Sequence, residues 1–200
     1  MKRNNTRQFQ IKNTTIGGQN KVLIQSMCKH KTSHVDEIIK EINECAKLGA
    51  DLMRVSILDE EDAVAIKEIQ KGISIPLIAD IHFDPRLAIL AINNGVDKIR
   101  LNPGNIKNEE KIKKIVELAK KKGVVIRVGA NSGSVDSSFD EKDISLSEKL
   151  VYSAKKQVEI LEKYDFHNIV ISLKASNIHE TIAAYRLASE IFPYPLHIGI

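Results

Sequence analysis

Asp97-Lys98-Ile99-Arg100-Leu101-Asn102-Pro103-Gly104-Asn105 is the stretch that decides the fold. From Asp97 to Asn102 it alternates as a β-strand does, with Lys98, Arg100 and Asn102 on one face and Ile99 and Leu101 on the other. Pro103-Gly104 stops the strand, and a helical pattern begins at Asn108. An Arg and an Asn thus end a strand on one face, beside a glycine turn that exposes backbone N–H groups. That combination suits an anionic ligand. The same arrangement recurs along the chain.

Working outward, residues 7–21 read as a hairpin, with Phe9 and Ile11 alternating ahead of a Gly17-Gly18 turn. Strands are expected at 22–26, 51–57, 77–81, 97–102, 124–129, 168–174 and 196–200, with helices near 34–48, 60–71, 85–94, 109–122, 146–164 and 178–191. Asp84-Pro85 places an N-cap before a first-turn proline. Ser145-x-x-Glu148 and Asn177-x-x-Glu180 resemble capping boxes, and Gly49, Gly95 and Gly123 fall where helices stop. Strict βα alternation with short connections predicts an α/β fold, a TIM-type (β/α)8 barrel incomplete at its C-terminus. Its expected parts are a hairpin extension over 1–21 and a truncated barrel over 22–200. A doubly wound open sheet is the alternative, weakened because no Gly-x-Gly-x-x-Gly follows the first strand.

Two hundred residues with 42% hydrophobic content are enough for one sizeable core. A net charge of +4, mixed in sign along the chain, with no Trp, four Tyr and five Phe, does not argue for nucleic acid. No apolar run approaches a membrane span, Met1 to Gln10 lacks an apolar signal core, and the expected location is cytoplasmic. Cys28 and Cys45 make neither a disulfide framework nor a metal motif; Cys45 falls in the apolar stripe of its helix.

Barrel strands are covered outside by helices, and their outward faces here are apolar: Met53, Val55 and Ile57, then Ile99 and Leu101, then Ile169, Ile171 and Leu173. The inward faces carry Arg54 and Ser56, Asp80 and His82, Arg100 and Asn102, Arg127 and Asn131, Ser172 and Lys174, and His197. These sit late in their strands, at the mouth where barrel active sites form. Any one Arg there reads most simply as a structural ion pair. Four cations in phase, Arg54, Arg100, Arg127 and Lys174, imply a multiply charged anion such as a phosphate or diphosphate. Asp80 and His82 stand beside them as candidates for proton handling, or for a structural hydrogen bond alone. The polar connection from Gly129 to about Leu146 is long enough for a binding loop.

Gln25-Ser26-Met27, Ala50 to Ser56, Ala79-Asp80-Ile81-His82-Phe83, Arg100 to Asn105, Arg127 to Ser134 and Ser172-Leu173-Lys174-Ala175-Ser176 together resemble the 4-hydroxy-3-methylbut-2-enyl diphosphate synthase family from about residue 7 onward. The resemblance implies reductive ring opening and dehydroxylation of 2-C-methyl-D-erythritol 2,4-cyclodiphosphate, in the methylerythritol phosphate route to isoprenoids. It implies two electrons from flavodoxin or ferredoxin, and a homodimer. It assigns the diphosphate to Arg54, Arg100, Arg127 and Lys174, with Asn102 and Asn131 as further contacts; the strand phase adds Ser172 and His197 as substrate contacts and Asp80 and His82 as catalytic candidates. It also implies a [4Fe-4S] cluster held by three cysteines and a glutamate of a C-terminal domain, ligands that lie outside these residues.

Two other functions fit the same pattern. A barrel resembling dihydropteroate synthase would grip a pterin with Asp80, Asn102 and Lys174, and needs fewer cations than this chain offers. A non-catalytic phosphate-binding barrel would need no redox centre at all.

Overall fold

The computed structural model describes residues 4–81, 84–106, 108–133, 135–139 and 143–199. Strands β1 (Gln8–Ile11) and β2 (Thr14–Gly17) form an antiparallel hairpin. Six parallel strands follow: β3 (Gln25–Met27), β4 (Leu52–Ser56), β5 (Leu77–Asp80), β6 (Lys98–Arg100), β7 (Val125–Asn131) and β8 (Ile169–Lys174). Each lies beside the next one in the chain. A doubly wound sheet reverses its strand order at a switch point, so the sequential order settles the choice for a barrel-type sheet.

Helices α1 (Val35–Lys47), α2 (Glu60–Gly72), α3 (Pro85–Asn93), α4 (Glu109–Lys122), α5 (Leu146–Glu162) and α6 (Ile178–Ile191) follow β3 to β8 in turn. Their apolar stripes, such as Ile112, Ile115, Val116 and Ala119 of α4, pack on Met53, Val55, Ile99, Ile126, Val128 and Ile171, which face out of the sheet. Their starts are fixed locally. Asp59, Asp84 and Asn108 each accept a first-turn backbone N–H, and Ser145 with Glu148 closes a full capping box. Asn177 does cap α6, but Glu180 accepts from the Ser147 N–H at 3.0 Å instead of reaching back. The expected second capping box is therefore only half formed.

Inside the curl lies a second, smaller core. Ile11 from the hairpin packs with Leu52, Ile78, Val125 and Val170, which point inward near the strand starts. The hairpin is held there from two sides. Lys12 Nζ donates to Gln70 Oε1 at 2.9 Å and to the Ile73 carbonyl at 3.1 Å, and the Arg7 N–H donates to the Pro193 carbonyl at 2.7 Å.

Three expectations need correction. The hairpin reverses at Lys12-Asn13, with Lys12 at φ 48, and not at Gly17-Gly18, where Gly17 is the last residue of β2 and Gly18 the first beyond it. The first barrel strand, expected over 22–26, runs only from Gln25 to Met27, starting three residues later and ending one later than expected. The seventh expected strand, from Leu196, is an isolated bridge between Leu196 and Ile171, and Ile200 lies outside the described residues.

Curvature is visible in one bond. Lys98 Nζ of β6 donates to Gln25 Oε1 of β3 at 2.9 Å. In a flat sheet those side chains would stand parallel on strands roughly 14 Å apart. They meet because the sheet is curled and both point into its lumen.

Candidate functional site

The parallel register stacks the inward side chains in layers. Ser56, Asp80, Arg100 and Arg127 are ladder partners across β4, β5, β6 and β7. Arg54, one layer lower on β4, reaches up to them. Its Nε lies 3.8 Å from Asp80 Oδ2, and Arg100 Nη1 lies 3.6 Å from Asp80 Oδ1. Both separations are ion pairs longer than hydrogen bonds. Arg54 also rests its guanidinium on Met27 Sδ, at 3.3 and 2.8 Å, a weak acceptor.

Arg127 is the most buried cation of the layer, 7% exposed, and its Nε has no hydrogen-bond partner among the described residues. Burial and the nearby Arg54 and Arg100 pull its pKa down to about 10, against the pull of Asp80. His197 is held down to about 3 by burial and by Arg127, Lys98 and Arg54, so its imidazole is neutral at ordinary pH. Lys98 is 2% exposed and is brought down to about 7 by burial, then by Arg127 and Arg54. Three guanidiniums therefore face one carboxylate in a largely desolvated space, an imbalance that an anion would relieve.

Three contacts hold this frame. Gly129 sits at φ +153 on β7, where a Cβ would lie 1.7 Å from the Ser172 carbonyl oxygen. Beyond the end of β6 at Arg100, the buried Gln157 of α5 takes both polar groups of Gly129: its Oε1 accepts from the N–H at 3.1 Å and its Nε2 donates to the carbonyl at 3.0 Å. On the other side of β8, Tyr185 Oη accepts from the Leu173 N–H at 3.0 Å and donates to the His197 carbonyl. That bond, with the His197 N–H donating to the Ile171 carbonyl at 2.7 Å, seats His197 beside β8.

The structure brings Arg54, Asp80, Arg100, Arg127 and His197 into one electrostatic group. Ser172 pairs with Gly129 in the ladder, while Asn131 and exposed Lys174 pair with each other one layer higher. The Asn102 and Asn131 side-chain oxygens accept from the Gly104 and Gly133 N–H groups at 3.1 and 3.0 Å. Each therefore has only its NH2 to offer an anion. His82 lies outside the described residues. The sequence pattern did not single out Lys98, Gln25, Gln157 or Tyr185. Lys98 carried a signal in its phase with Arg100, and Gln25 one in the Gln25-Ser26-Met27 motif; Gln157 and Tyr185 carried none.

Residues 6–200 match the family model described as the GcpE TIM-barrel domain. The chain belongs to that family. Among curated proteins, a 4-hydroxy-3-methylbut-2-en-1-yl diphosphate synthase (flavodoxin) of Caldanaerobacter subterraneus subsp. tengcongensis is 52% identical over 196 residues, covering 98% of this chain and 55% of that protein. The synthase of the same name from Bacillus subtilis is 47% identical over 199 residues, 99% of this chain and 53% of that one. The chain spans about half the length of the curated relatives it matches. Among solved structures, 3-dehydroquinate dehydratase of Geobacillus kaustophilus superposes with a TM-score of 0.66 at 14% identity, over 96% of this chain and 78% of that one. Yersinia pestis dihydropteroate synthase gives 0.66 at 11%, over 96% and 75%. These two show the barrel fold and nothing about the ligand, and with synthases as curated GcpE relatives the pterin reading is not favoured.

Proposed function

We propose that this GcpE barrel supplies the substrate site of a 4-hydroxy-3-methylbut-2-enyl diphosphate synthase, which opens and dehydroxylates the cyclic diphosphate of methylerythritol reductively. The observation that carries the reading is the excess of guanidinium over carboxylate at the strand ends, in a chain of this family. Arg54, Arg100 and Arg127 grip the diphosphate, with Lys174 at the rim and the Asn102 and Asn131 amides, Ser172 and neutral His197 as further contacts. Guanidiniums suit the paired oxygens of such a ligand, and their desolvation strengthens each contact. Asp80 holds Arg54 and Arg100 in position and, with His82, is the candidate for proton handling during loss of the hydroxyl.

The reduction needs two electrons, for which the named relatives point to flavodoxin and the family resemblance also allows ferredoxin. The residues described here do not fit an iron–sulfur cluster. Cys28 is buried, with burial pushing its thiol up to about 12, Cys45 lies half-buried on α1, and no group of three metal-ligating side chains occurs among the described residues. The cluster ligands therefore lie elsewhere in a homodimeric enzyme of the cytoplasm, and residues 1–200 alone bind the diphosphate without turning it over.

Arg100→Ala in the complete enzyme should weaken substrate binding by about 2–5 kcal/mol, because it strips a desolvated charge of its partner. Cys45→Ser, on the outer core, should leave affinity almost unchanged. Equal losses in the two variants would refute the strand-end assignment.

A further inference from the structure

Lys98 plays no part in the contacts proposed above, yet it is one of the most deeply buried groups of the lumen. It lies beneath the cationic layer and donates across the barrel to the neutral amide oxygen of Gln25. The charged and titratable groups around it come from each neighbouring element: Arg54 from β4, Asp80 from β5, Arg100 two residues further along β6, Arg127 from β7, His197 after β8, and Tyr185 of α6 behind His197. Three of these are permanent cations and one is a carboxylate. A fourth positive charge under them is costly while the site above holds no counter-ion. A neutral amine avoids that cost and still donates an N–H to Gln25.

We propose that Lys98 and Gln25 form a proton-linked strut beneath the anion site, in which Lys98 takes up a proton when a multiply charged anion occupies the strand ends. The inference rests on reading those ends as a diphosphate site. The proton comes from solvent and adds to the amine lone pair, and no other bond changes. Three guanidiniums and one carboxylate leave a net charge of +2 above Lys98, which a ligand with two negative charges cancels and one with more reverses, so the ammonium is no longer repelled from above. Magnitudes single out this residue. Burial and neighbours leave Lys98 at about 7, whereas His197 sits near 3 and Arg127 near 10, so a moderate change of field alters only Lys98 near neutrality. Anion affinity is consequently expected to rise as pH falls towards 7. Lys98 is thus a positioning residue whose charge state follows occupancy.

The test is calorimetry of inorganic diphosphate binding to the full chain at pH 7, in two buffers of different ionisation enthalpy. Wild type should take up about half a proton more than Lys98→Arg, which stays protonated throughout, because a group at about 7 is half deprotonated before binding. Gln25→Glu, which gives Lys98 a carboxylate partner, should suppress the same half proton and serves if the arginine does not pack. Binding with equal proton counts in all three proteins overturns the inference while leaving the anion site intact. Absence of diphosphate binding in wild type overturns both.

Discussion

The two ends of the barrel lumen are built from the same strands and share almost no chemistry. At the floor, Leu52, Ile78, Val125 and Val170 pack under Ile11 of the hairpin. Two residues further along the same strands stand Arg54, Asp80, Arg127 and Ser172. Each pair shares a face because side chains alternate with period two, so one step up the pleat converts a packed core into a charged mouth. β6 differs, carrying Lys98 where its neighbours carry aliphatics, and that is where the strut to Gln25 forms. On the proposed reading the floor carries stability and the mouth the ligand chemistry, the division expected of barrel enzymes.

The largest effect is expected where the mouth is framed by backbone alone. Gly129→Ala places a Cβ against the Ser172 carbonyl at 1.7 Å, which β8 cannot relieve without leaving the sheet. A loss beyond about 3 kcal/mol is expected in denaturant unfolding. A near-wild-type midpoint would show that the two strands are not held this tightly.

Next come two substitutions with opposite signatures. Ile78→Ala at the floor should cost about 2–5 kcal/mol of stability and leave diphosphate affinity unchanged. Arg127→Met at the mouth removes a buried charge repelled by Arg54 and Arg100, and should raise stability by about 1–4 kcal/mol while weakening diphosphate binding. Paired unfolding and binding measurements check both. If each variant lost stability and affinity together, the division between floor and mouth would fail.

The smallest effect is a pH dependence. The unfolded chain keeps the Lys98 proton up to its ordinary value near 10.5, while the folded chain releases it above about 7. The unfolded state thus binds more protons between those values, so stability rises with pH across that window. The slope is at most about 1.4 kcal/mol per pH unit. Comparing unfolding at pH 7 and pH 8 should show this rise in wild type and its loss in Lys98→Met.

Much of this division was legible in the chain itself. Helix limits lie within one or two residues of expectation, because Asp84-Pro85, Asn108 and Ser145 act through bonds to the next few residues. The phase of Arg54, Arg100 and Arg127 needed only the period of a strand. What stayed hidden depends on distant partners. The left-handed turn at Lys12 is held by Gln70 and Ile73, so no local glycine was required to mark it. Lys98 and Gln25 are 73 residues apart and meet only once the sheet has curled. Gln157 reads as an ordinary helix residue until β6 has ended short of Gly129. β6 is shorter than its alternating pattern because the chain turns away at Pro103, whereas β7 runs on to Asn131, two residues past its expected end.

The most direct test of the mouth as an anion site is a crystal structure of the protein with inorganic diphosphate. Its oxygens should lie within hydrogen-bond reach, roughly 3 Å, of Arg54, Arg100 and Arg127 together, above the Lys98–Gln25 bond. Diphosphate bound instead on the lysine-rich outer face of α4, with the three guanidiniums making no contact to it, would contradict the assignment.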